Sequence, residues 1–155
     1  RIVTGRFPHV VFVAAGQGPQ ERELHELHAR LGLGDRFRFL GHRADATRLM
    51  AAFDVFCLAS IHEGLPIAVM EALAIGLPIV TTDVGGIREI VTDGAEAMVV
   101  PTGRPDCLAD ALSAVVTDDR RRVAMAIAAR AHGDDLGVGN AARRMEAVYI
   151  AQARR

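Results

Sequence analysis

Lysine and tryptophan are absent from this sequence of 155 residues, and cysteine occurs only twice. The missing lysines exclude both a Schiff-base lysine and the lysine of a phosphate-binding P-loop. Cys57 and Cys107 stand alone, outside any Cys-x-x-Cys or Cys/His cluster. The sequence therefore predicts no metal site, and two free thiols favour a reducing, cytoplasmic location.

Long apolar runs and an excess of one charge are also lacking. No segment has the length of a membrane span, and no signal or transit peptide is recognisable. The 18 basic residues, all arginine, nearly balance 19 acidic residues, so nothing indicates nucleic-acid binding. Half of the residues are apolar, which is typical of a globular protein, and we expect a single domain over residues 1–155. Because the chain starts at Arg1, we expect a fragment or a processed start.

Short apolar, β-branched segments alternate with segments of helical periodicity. The predicted strands are 10–15, 37–40, 55–58, 78–81 and 97–100. The predicted helices are 19–33, 46–53, 66–75, 87–91, 106–116, 119–131 and 140–153, with Gly133 and 137–139 in a loop before the last one. This alternation predicts an α/β fold, a Rossmann-like parallel sheet flanked by helices. Such sheets bind ligands beyond the carboxyl ends of their strands, here at loops 16–19, 41–43, 60–65 and 83–86.

Glu71 is the only polar side chain between Gly64 and Val80. A carboxylate in apolar surroundings is costly unless it is hydrogen-bonded. One interpretation is a buried structural glutamate paired with an arginine or with backbone amides. The other is a ligand contact, since a carboxylate can accept from two hydroxyls at once, as on the 2′ and 3′ positions of a ribose.

The start of the helix at Pro66 favours a phosphate. The amides after Pro66 lack partners within the helix, and together with the helix dipole they form an anion site. Glu71 would lie about 7.5 Å further along the helix. Glu63, in the loop before it, would reach the group beyond the phosphates, and Gly64 allows the backbone to approach a ligand closely.

Glu63 and Glu71 are separated by seven residues, and this spacing resembles the E-x7-E motif of the retaining glycosyltransferases of family four, also called group 1. Further segments resemble the same family in order over roughly residues 10 to 116: 13–19 (G-x-G-P turn), 39–41 (F-L-G), 52–60, 72–80 and 82–91. Departures from its pattern are Ala59, Arg88 and Ala97, where the family usually has Pro, Pro and Gly.

The resemblance implies the C-terminal, donor-binding half of a GT-B architecture. It implies transfer of a sugar from a nucleotide diphospho-sugar to an acceptor hydroxyl with retention of configuration, in a hexosyltransferase. By resemblance Glu63 is the catalytic residue, which contacts the donor sugar, and Glu71 holds the ribose. The other implied donor-binding residues are Gly64, Leu65, Pro66 and Ile67 at the diphosphate or sugar, Gly16 and Gly18 lining the cleft, and His42 and Arg43 near the base.

The resemblance also implies partners. The donor would be a UDP-, GDP- or ADP-sugar, bound as a substrate, with no cofactor and no metal. The acceptor domain, and an upstream strand with the basic residues that clamp the diphosphate, would precede residue 1, so the isolated chain is expected to be inactive. Peripheral attachment of the full-length enzyme to the inner face of the membrane stays open.

Several alternatives remain beside this interpretation. A related nucleotide-sugar epimerase and a non-catalytic binding module are both compatible with the motifs. A dehydrogenase is disfavoured, because Glu21 replaces the third glycine of G-x-G-x-x-G. His62 is predicted to be a polar loop side chain, and Glu89 either a ligand contact or a carboxylate favoured at a helix start. The residues predicted to be solvated are His9, His25, His28, His132, 120–122 and 154–155.

Overall fold

A computed structural model describes residues 1–153, apart from the side chains of Val138, Ala141, Arg144 and Ala153. The predicted solvated end at 154–155 lies outside this range. The chain divides into two compact units, Arg1–Leu49 (unit 1) and Met50–Arg155 (unit 2). Each unit contains parallel strands flanked by helices, so the predicted α/β class is confirmed.

Unit 1 is built on two strands. Its elements are helix α1 (Ile2–Arg6), strand β1 (Phe12–Ala14), helix α2 (Glu21–Leu31), a 3₁₀ turn (Gly34–Arg36) and strand β2 (Phe37–Phe39). The strands pair in parallel, with Phe12 opposite Phe37 and their rings stacked. Helix α1 was not predicted, because five residues that include a glycine carry no clear periodicity. Helix α3 (Ala46–Met50) crosses into unit 2.

Unit 2 contains a three-stranded parallel sheet in the order β3-β4-β5. Its elements are β3 (Phe56–Leu58), α4 (Ile67–Ile75), β4 (Ile79–Thr82), α5 (Ile87–Ile90), β5 (Ala97–Val100), α6 (Pro105–Thr117), α7 (Asp119–Asp135) and α8 (Val138–Ala153). All four residues of the central strand β4 are buried. The continuous apolar run that predicted this strand therefore reflects burial on both faces.

The hydrophobic core of unit 2 lies around α4 and β4. Val69, Ala72 and Leu73 of α4 and Ile79 of β4 have no solvent exposure, and Ala129 of α7 belongs to the same cluster. Burial of a valine, leucine or isoleucine side chain contributes roughly 1.5–3 kcal/mol relative to exposure. This packing holds the helix that carries Glu71 firmly against the sheet.

Gly133 lies inside α7 and not in the predicted loop. A Cβ atom at this position would come within 2.5 Å of the carbonyl oxygen of Leu73 and 2.6 Å of its carbonyl carbon. The glycine is therefore there because α4 and α7 approach closely, and not because the chain turns. A lone glycine in a helical pattern can mark either a turn or a close contact between two helices, and only the packing of the folded chain distinguishes them.

His132 is not the predicted surface residue. Its Nδ1 lies 2.8 Å from Oε1 of Glu96, whose side chain is only 4% exposed. The same oxygen accepts from the backbone N–H of Thr92 at 2.6 Å. The pair satisfies a carboxylate that would otherwise be buried at considerable cost. Its members are 36 residues apart, so local sequence patterns do not reveal it.

Two other side chains predicted to be solvated also make specific contacts. His28 is half-buried, and its Nε2 lies 3.0 Å from the carbonyl oxygens of Gly34 and Phe37. Arg122 donates from Nη1 to the carbonyls of Val115 and Val116 at the end of α6. Arginine is well suited to this role, because the last carbonyls of a helix lack partners.

Candidate functional site

The clearest candidate site lies at the carboxyl ends of β3 and β4 in unit 2. The loop of residues 59–66 follows β3, and the loop of residues 83–86 follows β4. The backbone N–H of Gly86 donates to the carbonyl of Gly64 at 2.9 Å, so the two loops are joined directly. The structure thus brings together the Glu63 segment and the turn of two glycines at the edge where parallel sheets bind ligands.

Gly85 is required for this contact. Its φ is +48°, and a Cβ atom would come within 2.2 Å of the carbonyl oxygen of Glu63 and 2.5 Å of that of Gly64. Any other L-residue would therefore meet backbone atoms while also adopting a left-handed conformation. The sequence predicted a turn at this point, but not that the turn supports the Glu63 loop.

Glu63 is half-buried, and its carboxylate is held by a neighbour. The hydroxyl of Ser60 donates to Oε1 of Glu63 at 2.7 Å. The carbonyl of Ser60 in turn accepts from Oγ1 of Thr82 at 2.6 Å, and Thr82 is 5% exposed at the end of β4. Neither Ser60 nor Thr82 was predicted to act here. The only available signal for Ser60 was that it lies with Glu63 in the predicted loop 60–65.

The start of α4 adds backbone donors to the same edge. Pro66 is the N-cap, and no side chain caps the helix there. Since proline has no N–H, the amides that the segment 64–67 can offer are those of Gly64, Leu65 and Ile67. Pro66 itself is buried, and its carbonyl accepts from the N–H of Val69 at 3.0 Å. Its donor-binding role stays a prediction.

Glu71 lies on α4 next to Ala72, which is fully buried, yet it is itself only partly buried. It follows the first residue of the helix by four positions, a rise of about 6 Å. Glu96, by comparison, is 3% exposed. Partial burial is compatible with both interpretations of Glu71, the structural glutamate and the ligand contact. The role of Glu71 at a ribose stays a prediction.

Unit 1 carries the predicted residues Gly16, Gly18, His42 and Arg43. Gly16 and Gly18 line a cavity of about 270 Å³, whose walls include Leu24 and Phe39. The N–H of Gly16 donates to the carbonyl of Gly41 at 2.8 Å, which joins the loops after β1 and β2.

His42 and Arg43 follow these loops and are both exposed. Arg43 makes a two-pronged contact with Asp45, Nε to Oδ1 at 2.7 Å and Nη2 to Oδ2 at 2.8 Å. This contact lowers the pKa of Asp45 below its usual value and raises the pKa of Arg43. A ligand contact by the guanidinium would therefore compete with Asp45. The donor-binding roles of these unit 1 residues stay predictions.

The remaining candidate residues lie near the turn of Gly85 and Gly86 (the glycine turn) or are exposed to solvent. Glu89 is exposed on α5, and its carboxyl carbon would lie 3.8 Å from a Cβ atom at Gly86. Arg88 binds both carboxylate oxygens of Asp83, a contact that raises the pKa of Arg88. His62 is exposed, as predicted.

Among the side chains that the structure describes, no three His, Cys, Asp or Glu are grouped to hold a metal ion. In the same part of the chain, no helix has the length and apolar character of a membrane span.

Comparison with curated proteins shows relatives of one kind. The chain is 34% identical over 121 residues to the lipopolysaccharide core biosynthesis glycosyltransferase LpsE of Rhizobium meliloti, covering 78% of this chain and 36% of LpsE. It is 35% identical over 157 residues to the lipopolysaccharide core biosynthesis mannosyltransferase LpsB of the same organism, covering 96% of this chain and 41% of LpsB. The chain thus spans well under half the length of these relatives.

Similar chains are also found among solved structures. HepE of Anabaena in complex with UDP-glucose superposes with a TM-score of 0.78 at 30% identity, over 86% of this chain and 40% of HepE. Sucrose-phosphate synthase from Thermosynechococcus elongatus shares the fold, with a TM-score of 0.84 at 22% identity, over 98% of this chain and 41% of that one. The model of the family "Glycosyl transferases group 1" matches residues 2–132. Because that match covers most of the chain, this protein belongs to the group 1 glycosyltransferases and corresponds to their C-terminal domain.

Proposed function

We propose that this chain binds the nucleotide-sugar donor of a retaining glycosyltransferase that transfers a hexose to an acceptor hydroxyl. The observation that carries the proposal is the contact between the loop of Glu63 and the turn of Gly85 and Gly86, beside the start of α4, which no side chain caps. It places backbone donors and a carboxylate at one edge of the unit 2 sheet. HepE, which is 30% identical, was crystallised with UDP-glucose, and this supports a nucleotide sugar as the ligand.

The diphosphate would bind at the start of α4. The amides of Gly64, Leu65 and Ile67 precede or begin a helix of nine residues, whose dipole favours a negative group at this end. As the bond to the sugar breaks, negative charge develops on the diphosphate. Backbone donors that are already in place stabilise this charge without reorganisation.

The two glutamates would bind the two ends of the donor. Glu71, about 6 Å along α4 from Ile67, would accept from the ribose hydroxyls. Glu63, in the loop before the helix, would accept from hydroxyls of the transferred sugar. Carboxylates suit both tasks, because each one has two oxygens that accept hydrogen bonds.

The proposed reaction forms a bond between the acceptor oxygen and the anomeric carbon, and it breaks the bond between that carbon and the diphosphate oxygen. The proton of the acceptor hydroxyl passes to the departing phosphate. Both events take place on the same face of the sugar, so the configuration is retained without a covalent enzyme intermediate. The protein would supply orientation and charge stabilisation.

Calorimetric titration of the protein at its native length with UDP, GDP and ADP tests the binding proposal. We expect saturable binding of at least one of the three, and that nucleotide identifies the base of the donor. Absence of binding for all three would contradict the proposal.

The chemical proposal is tested with the donor identified in this way and a panel of hydroxyl acceptors. Nuclear magnetic resonance of the product is expected to show the anomeric configuration of the donor, and an inverted product would contradict the mechanism. An epimerised sugar formed from the donor alone, with no acceptor present, would instead identify an epimerase.

A further inference from the structure

A hydrogen-bonded chain links the buried sheet of unit 2 to the carboxylate of Glu63. Thr82 at the end of β4 donates to the carbonyl of Ser60, and the hydroxyl of Ser60 donates to Glu63. We propose that Ser60 is a positioning residue that orients the Glu63 carboxylate toward the sugar of the donor. This inference rests on the proposed function, because it assigns a role to Ser60 in the same site.

Ser60 determines which oxygen of Glu63 meets the ligand. Its hydroxyl lies 2.7 Å from Oε1, the distance of a strong hydrogen bond to a charged acceptor. A carboxylate presents acceptor sites on both oxygens. With Oε1 engaged by Ser60, Oε2 is the oxygen assigned to the sugar hydroxyl.

Ser60 is itself held in place by the sheet. The hydroxyl of Thr82 lies 2.6 Å from its carbonyl oxygen, and Thr82 is 5% exposed, at the end of the fully buried strand β4. A bond to such a residue ties the loop to the buried central strand of the unit 2 sheet.

The backbone of the loop has a second, independent support. Gly86 donates to the carbonyl of Gly64 at 2.9 Å, and Gly85 lies directly against the carbonyl of Glu63. The backbone of Glu63 is therefore supported by the glycine turn, whereas its side chain is supported by Ser60. Loss of the Ser60 hydroxyl should release the carboxylate and leave the loop in place.

The backbone and the side chain of Glu63 are supported separately. We therefore expect Ser60 to affect the binding of only one half of the nucleotide sugar. The hydrogen bond from Ser60 acts on the side chain of Glu63, whereas Glu71 and the amides at the start of α4 would bind the nucleoside and the diphosphate. Ser60 should therefore influence the affinity for the sugar portion and not the affinity for the nucleoside diphosphate. A residue that only stabilises the fold would affect both.

The test compares Ser60→Ala and Ser60→Thr with the wild type, all at native length. Ser113→Ala is the matched control, since Ser113 bonds to the carbonyl of Ala109 within α6. The probes are UDP with UDP-glucose, GDP with GDP-mannose, or ADP with ADP-glucose, whichever pair the wild type binds. The readouts are the ratio of the two dissociation constants, kcat/KM for the donor, and the melting temperature.

We expect Ser60→Ala to weaken binding of the nucleotide sugar relative to the diphosphate by about tenfold, the loss of one hydrogen bond to a charged group. The kcat/KM for the donor should fall by a similar factor, while diphosphate affinity stays within about twofold of the wild type. Ser60→Thr keeps the hydroxyl and should restore the ratio, and Ser113→Ala should leave it unchanged.

Three results would overturn the inference. One is an unchanged ratio in Ser60→Ala, another is an equal loss of affinity for both ligands, and the third is failure of a folded Ser60→Thr to restore the ratio. Each of these leaves the proposed function intact, because the wild type still binds the diphosphate. If the wild type binds no nucleoside diphosphate, the proposed function fails and the role of Ser60 fails with it.

Discussion

The two units of this chain differ in how many of their residues are buried. In unit 1, every residue of which is described, only Val3, Thr4 and Leu33 are buried, and helix α2 buries none of its residues. In unit 2, β4 is buried throughout and a single cluster links it to α4 and α7. The glutamates expected to carry chemistry stand on the unit with the closed core, where packing fixes their positions.

One glycine from each unit shows a similar difference. Gly41 in unit 1 and Gly85 in unit 2 both have positive φ, +63° and +48°. A Cβ atom at Gly41 would meet nothing within 4 Å, whereas at Gly85 it would meet the backbone of Glu63. Gly41 is thus needed only for its backbone conformation, whereas Gly85 is needed both for its conformation and for the close contact with Glu63.

The largest expected effect comes from replacing these two glycines. Gly41→Ala should lower the free energy of unfolding by about 1–2 kcal/mol, the cost of a left-handed residue with a Cβ. Gly85→Ala should cost about 2–4 kcal/mol, because overpacking against backbone adds to that strain. It should also weaken nucleotide-sugar binding, since the clash is with Glu63 itself. Urea denaturation and titration measure both effects, and equal losses in the two variants would remove the distinction drawn between the units.

Glu71→Gln is expected to have the next largest effect, and to act on ligand binding. If its carboxylate holds the ribose, nucleotide binding should weaken by roughly 1.5–3 kcal/mol, while the melting temperature changes little. If Glu71 is a structural ion, stability should instead fall by about 3–5 kcal/mol with unaltered affinity. Calorimetric titration with UDP, GDP and ADP beside a thermal melt separates the two cases. Glu146→Gln, the same change on the exposed face of α8, is the control.

A smaller effect is expected in the reactivity of Cys57 on β3. Burial raises the pKa of this thiol to about 11, so the reactive thiolate is scarce at pH 8 and increases only as the pH approaches 11. Iodoacetamide at pH 8 should therefore label Cys107 of α6 faster than Cys57 in the native protein, and the two equally in urea. Mass spectrometry of the peptides measures the ratio, and equal labelling in the native state would show that the core of unit 2 opens readily.

The smallest expected effect is that of a chelator. Because the sequence offers no carboxylate cluster suited to Mg²⁺ or Mn²⁺, nucleotide binding should be the same with and without EDTA. Parallel titrations test this expectation. Loss of binding in EDTA, restored by added Mg²⁺, would show that a divalent ion takes part in holding the diphosphate.

Most elements of the fold could be predicted from the sequence because their signals are local. The strands at 37–40, 55–58, 78–81 and 97–100 were each located to within one residue at either end, since short, mainly apolar runs between helical segments mark the strands of an α/β sheet. Helix α4 was recognised from its apolar run between Pro66 and Gly76, and Gly76 ends it in the left-handed conformation that is common for a glycine at this position.

Two of the errors share one cause, which is that the decisive partner lies far away in the sequence. Gly133 was taken for a loop residue, yet it lies in α7 against Leu73, 60 positions earlier. His132 was taken for a surface residue, yet it pairs with the buried Glu96. In both cases the residue type was compatible with two environments, and only packing between distant elements selected one of them.

The sequence by itself determined the α/β class, the positions of the strands and the pair of glutamates with seven residues between them, because each depends on periodicity or spacing within a short window. The tertiary structure alone decided how Glu63 is held. Ser60, Thr82 and Gly85 belong to two different loops and a strand, and they meet only because parallel strands bring their carboxyl ends to one edge. The contact of Gly85 with the Glu63 backbone and the bond from Ser60 to its carboxylate are therefore products of packing.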